Sequence, residues 1–72
     1  MQEKRDAVRA MLCRNRLSQA WLIFELEKAG VVVDKSSLSE ILSGARQKKK
    51  AAEVIEAAYV ILARYESHYA NG

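Results

Sequence analysis

One cysteine and one histidine in 72 residues leave the chain without a staple, because Cys13 has no internal disulfide partner and His68 has no second His or Cys at ligand spacing. A disulfide framework and a zinc site are both excluded, and a reducing, intracellular setting is expected. Proline is absent and glycine occurs three times; with 29% charged residues this describes a mostly helical chain that can fold, not a disordered tail. Long apolar runs are missing too. Met1 is followed by Gln-Glu-Lys-Arg-Asp rather than a short basic region and an apolar segment, and nothing approaches the roughly 20 apolar residues of a membrane span. The expectation is a cytoplasmic protein with no membrane segment. Catalysis also lacks its parts: no glycine-rich phosphate loop, no paired inward carboxylates and no nucleophile with its base, so neither an enzyme nor a cofactor is expected.

What is present is small and basic. The length fits a single domain, residues 1–72, and half of the residues count as hydrophobic only with eleven alanines included. Such a core needs idealised helix packing or a partner chain. The net charge of +3 is unevenly spread: residues 1–50 hold eleven basic side chains against six acidic ones, whereas residues 51–72 hold Arg64 against Glu53, Glu56 and Glu66. The split suggests that the first two-thirds meets a polyanion and the last third does another job.

Periodicity predicts four helices. The first spans about residues 2–14, with Val8, Met11 and Leu12 inward, Ala7 and Ala10 filling in, and Arg5 and Arg9 one turn apart on another face. Cys13, near its end, is expected to be a small buried hydrophobe. After a break at Asn15 and Arg16, Ser18 caps a second helix, Gln19 to Ala29, whose stripe is Leu22, Ile23 and Leu26 and whose stop is Gly30. Val31 to Val33 is β-branched but has no partner strand, and is expected to be a connector whose valines plug the core, with Trp21 and Phe24 packing against it. Asp34 can cap a third helix to about Ser43, with Leu38, Ile41 and Leu42 inward and Gly44 as its stop; Ser37 and Glu40 form a competing capping box three residues later. From about residue 48 to 69 one long helix carries Ala51, Ile55, Ala58, Leu62, Tyr65 and Tyr69 in steps of four and three, widened by Val54, Ala57 and Ile61. That stripe is broader than one helix of so small a domain needs. Part is expected to cover the other helices and part to meet a second chain, through Leu62, Tyr65 and Tyr69.

Two short capped helices joined by a turn and followed by a basic segment describe a helix-turn-helix, about residues 18–43, presenting the outer face of its second helix to a groove. That face is Lys35, Ser36, Ser39 and Glu40. Lysine donates to the O6 and N7 of guanine, serine pairs with several bases, and glutamate accepts from the N4 amine of cytosine. Lys48, Lys49 and Lys50 open the last helix, where their charge opposes the helix dipole, so a phosphate partner accounts for them better than a structural role. Arg14 and Arg16, beside the start of helix two, are further phosphate candidates.

The run Leu17-Ser18-Gln19, Leu22, Leu26, Val33, Leu38-Ser39, Ile41-Leu42, Gly44 and Arg46 resembles the helix-turn-helix of the Cro and lambda repressor family (the XRE family) of phage and bacterial regulators, over roughly residues 8–62. The resemblance implies an all-α, lambda-repressor-like domain of about four helices with a long C-terminal helix. It also implies a phosphate contact for Gln19, base contacts for Lys35, Ser36 and Glu40, and a supporting contact for Arg46. The chain departs from the family in having more residues between Leu26 and Leu38, and Ile23 where the family has a small alanine.

Together these readings predict a sequence-specific regulator of transcription, a repressor that binds a palindromic double-stranded DNA operator as a homodimer through its C-terminal helix. An alternative keeps the fold but makes the main partner a protein, as for an antitoxin or inhibitor using Trp21, Phe24 and the tyrosines. RNA is disfavoured because no aromatic platform is interleaved with the lysines.

Overall fold

A computed structural model of the chain describes residues 2–45 and 49–70. It is all-helical: α1 (Gln2–Arg14), α2 (Gln19–Lys28), α3 (Lys35–Ser43) and α4 (Lys49–Tyr65), with α4 running on into a wider π-helical turn, Glu66–Ala70. Among the described residues there is no strand, and no helix is long and apolar enough to cross a membrane.

The starts of α2 and α3 are set by short side chains. Ser18 has an extended backbone and its hydroxyl accepts from Trp21 N at 3.0 Å; Asp34 does the same for α3, its Oδ1 accepting from Ser37 N at 2.8 Å. The Asp34 start therefore prevails over the capping box at Ser37.

The first three helices stop in the same way. Leu17 N donates to Leu12 O and Arg16 N to Cys13 O; Val31 N donates to Leu26 O and Gly30 N to Glu27 O; Ala45 N donates to Glu40 O and Gly44 N to Ile41 O. Each is a Schellman motif around one left-handed residue. Gly30 (φ 87°) and Gly44 (φ 86°) meet that demand freely, whereas α1 ends on Arg16 at φ 56°.

Helices α1 and α4 pack side by side and in parallel. Lys4 Nζ lies 2.6 Å from Glu56 Oε1, and Arg14 holds Glu66. Both pairs are 52 residues apart, so the two helices keep one register over ten residues. Between them and the α2–α3 pair sits the core: Val8, Met11, Leu12, Leu22, Leu26, Val33, Leu38, Ile41, Leu42, Ala51, Val54, Ile55, Ala58 and Leu62. Apart from Val33 of the connector, these are residues that helical periodicity places inward, whereas Ile23, Ala57, Ile61 and Tyr65 of the predicted stripes are only partly buried and Tyr69 is exposed. Burying each of the larger core residues removes apolar area worth about 1.5–3 kcal/mol from water.

Four expectations change. Val32 is 70% exposed, so only Val31 and Val33 plug the core, because alternate residues of an extended connector face opposite ways. Trp21 turns to α4 instead of the connector, edge-on to Tyr65 with ring centroids 5.4 Å apart. Phe24 is exposed beneath the ammonium of Lys28, 5.1 Å from its ring centroid. Cys13 is exposed rather than buried, since the inward face of α1 is taken by Val8, Met11 and Leu12.

Candidate nucleic-acid interface

Among the described residues, helix α3 is buried along one side. Leu38, Ile41 and Leu42 are buried in the core, while Lys35, Ser36, Ser39, Glu40 and Ser43 are exposed. The four residues expected to read bases thus share one open strip at helical spacing, on an element fixed at its start by Asp34 and at its end by the Gly44 turn. Ser43 Oγ donates back to Glu40 O at 2.9 Å, which leaves it tied to its own helix. The connector from α2 is six residues, Ala29 to Asp34, closed onto α2 by the Gly30 turn.

The expected phosphate contacts divide. Gln19, the first residue of α2, is half-buried and lines a shallow hollow with Asp6, Arg9, Cys13, Leu17 and Leu42. Arg16 is exposed beside it in sequence, at the mouth of the turn that precedes the Ser18 cap. Lys49 and Lys50 are exposed in the first turn of α4, which holds no acidic residue to offset them. Two cations at the positive end of a helix dipole cost about 0.3–1 kcal/mol each, a cost that a phosphate would remove. Arg46 and Lys48 lie outside the described residues.

Arg14 is corrected. Its Nε and Nη2 donate to the two carboxylate oxygens of Glu66, and Asn15 Nδ2 donates to Glu66 Oε2 at 2.7 Å. These bonds, Arg14 first and Asn15 second, hold the Glu66 carboxyl at about 2, well below its usual 4.5, and the bond to Glu66 also raises the guanidinium above its ordinary value. Arg14 therefore ties α1 to α4 through Glu66, so its charge is already partnered within the chain.

The expected dimer contacts divide as well. Leu62 is wholly buried in the core of its own subunit, so it presents nothing to a second chain. Tyr65 is half-buried between Trp21 and Tyr69, whose ring centroid is 4.9 Å away, and Tyr69 is 65% exposed. Trp21, Tyr65 and Tyr69 line a hollow with Ile61, Arg64 and His68 that shares no lining residue with the exposed strip of α3.

Two arginines to which the sequence assigns no role also come to the α2–α3 pair. Arg9 lines the hollow of Gln19, and Arg5 lies across the turn at Gly44, its guanidinium atoms 3.1–3.4 Å from where a Cβ there would stand. Their one-turn spacing was the only signal available. Comparison of the chain with protein-family models, with curated proteins and with solved structures finds no match.

Proposed function

We propose that this chain is a cytoplasmic, sequence-specific double-stranded DNA-binding regulator of the Cro and lambda repressor type, a repressor that occupies a palindromic operator as a homodimer. One observation carries the reading: Lys35, Ser36, Ser39 and Glu40 stand exposed along one edge of a short helix whose opposite edge is buried. A rigid helix with a polar, donor-and-acceptor edge is what a major groove about 12 Å wide admits. Around it stand Gln19, Arg16, Lys49 and Lys50, suited to phosphate oxygens that position the helix without reading sequence. The subunit measures 36 × 24 × 17 Å, large enough for a two-fold pair to set its α3 helices about 34 Å apart, one turn of DNA. Pairing would use the far end of α4, where Tyr69 and the hollow of Trp21 and Tyr65 offer accessible aromatic surface.

A salt titration of duplex binding, with sequences taken from beside the chain's own gene, tests the reading. Affinity should fall steeply with salt, and the double substitution Lys35→Ala and Ser36→Ala should erase preference among duplexes with the helical content unchanged. Substituting Lys49 and Lys50 should weaken all duplexes alike. Affinity that stays flat with salt for every duplex rejects the proposal.

A second reading makes a protein the main partner, as for an antitoxin or inhibitor. It draws on the exposed Phe24 and Tyr69 and on the aromatic hollow, surfaces a DNA reader of this shape leaves unused if it acts as a monomer.

A further inference from the structure

Helix α1 divides its four cations by face. Lys4 and Arg14 look towards α4 and are each paired with a carboxylate there, Glu56 and Glu66. Arg5 and Arg9 look towards the α2–α3 pair and have no ion pair among the described residues. The one acid among the residues that line the hollow with Arg9 is Asp6.

Arg5 rests on the backbone turn that ends α3, where Gly44 leaves room for it, and its Nε is buried without a hydrogen-bond acceptor. A cation there faces the negative end of the α3 dipole, which accounts for its position but not for a buried donor left without an acceptor. Arg9 has no such structural explanation. It is exposed, one turn further along α1, over the hollow where Gln19 opens α2 and Leu42 closes the inner side of α3. In the turn that follows this helix, Arg16 stands exposed just before the Ser18 cap.

We infer that this edge of α1, through Arg5 and Arg9, is a second part of the DNA interface: a strip that follows the sugar-phosphate backbone beside the groove entered by α3. The inference rests on the DNA reading above and adds to it the α1 edge and its partner, the phosphates of one strand. One helical turn separates the two arginines by about 6 Å along α1, which suits neighbouring phosphates of one strand rather than phosphates on opposite sides of a groove about 12 Å wide. Arg5 additionally couples this strip to α3, because its guanidinium touches the turn that fixes the end of that helix. A phosphate oxygen at the open side of Arg5 and Arg9 would pair with the guanidinium N–H groups that remain accessible, while the Arg5 Nε stays enclosed.

The test compares Arg9→Gln with Lys4→Gln, which removes the same charge from the opposite face of the same helix. Binding of each variant and of the unaltered chain to one mixed-sequence duplex is measured across salt, with circular dichroism to verify the fold. Arg9→Gln is expected to weaken binding on the order of 10-fold at about 50 mM salt, shrinking to about 2.5-fold at about 200 mM, so that the slope of log affinity against log salt is shallower by about 1. Lys4→Gln should leave the slope unchanged. Equal slopes for all three chains, or equal losses for the two variants, overturn the α1 strip while leaving the reading of α3 in place. No salt-dependent binding by the unaltered chain overturns both. Arg5→Gln repeats the test at the α3 end, and a shallower slope there with an unchanged helical spectrum supports the same strip.

Discussion

Arg14 grips both carboxylate oxygens of Glu66, fastening the end of α1 to the place where α4 widens into its last turn. The carboxyl titrates near 2 in the fold against the usual 4.5, so the folded chain binds the proton more weakly than the unfolded chain does. A carboxylate of that kind adds stability that is present above about 4.5 and is lost as pH falls towards 2. Glu66→Gln should therefore lower the melting temperature at neutral pH, and the gap between the two chains should close on acidification through that window. Arg14 is exposed and Glu66 only half-buried, so the effect is small and fades with added salt. A gap that persists unchanged at pH 2 would mean that the pairing contributes nothing through ionisation.

Arg16 occupies the left-handed position of a turn that α2 and α3 close with glycine. Holding a residue with a Cβ there costs about 1 kcal/mol, partly offset by the greater freedom of an unfolded glycine. Arg16→Gly should thus raise stability by about 0.5 kcal/mol, read as a higher urea midpoint with an unchanged slope. If the arginine is there for phosphate, the same substitution lowers duplex affinity. A more stable chain that binds less well is the expected pair of results; equal affinity assigns Arg16 no part in the interface.

The capping residues were legible because each acts within a few positions of itself. Ser18 and Asp34 announce the starts of α2 and α3, Gly30 and Gly44 their ends, and the inward rows such as Leu38, Ile41 and Leu42 follow from helical spacing. The open edge of α3 followed in turn, as the complement of that inward row. What was not legible depends on residues far apart in the chain. Nothing local says that Arg14 will meet Glu66, that Trp21 will turn to Tyr65, or that Arg5 will lie over Gly44; all three result from how α1 and α4 frame the α2–α3 pair. Cys13 and Val32 went astray for a simpler reason, that a small or β-branched residue at the margin of an apolar stripe falls on either side of it. On α1, Arg5 and Arg9 look in sequence like any solvated helix face.

Leu62 and Tyr69 separate folding from assembly. Leu62 is fully enclosed by its own subunit, so Leu62→Ala should cost about 2–5 kcal/mol of stability whatever the chain's state of association. Tyr69 is mostly exposed at the far end of the chain, and Tyr69→Ala should leave the core intact. If two copies pair through this end, sedimentation of the Tyr69 variant will show a lower association constant at unchanged helical content. A dimer indifferent to Tyr69 would have to be built on another face, such as the outer side of α4 around Ala52, Ala57 and Val60.

Cys13 reports on the α1 edge without any substitution. It is the chain's one thiol, exposed, and it lines the same hollow as Arg9 and Gln19. A backbone phosphate seated at Arg9 would cover that hollow and place negative charge beside the sulfur, which both blocks a reagent and disfavours the reactive thiolate. Modification by a small neutral maleimide should accordingly slow several-fold when a bound duplex is present, and recover in high salt as the duplex leaves. The recovery matters because it separates cover by DNA from a slow change in the protein. If the thiol reacts equally fast with the duplex demonstrably bound, α1 turns this edge away from the nucleic acid, and Arg9 must then be an ordinary solvated side chain.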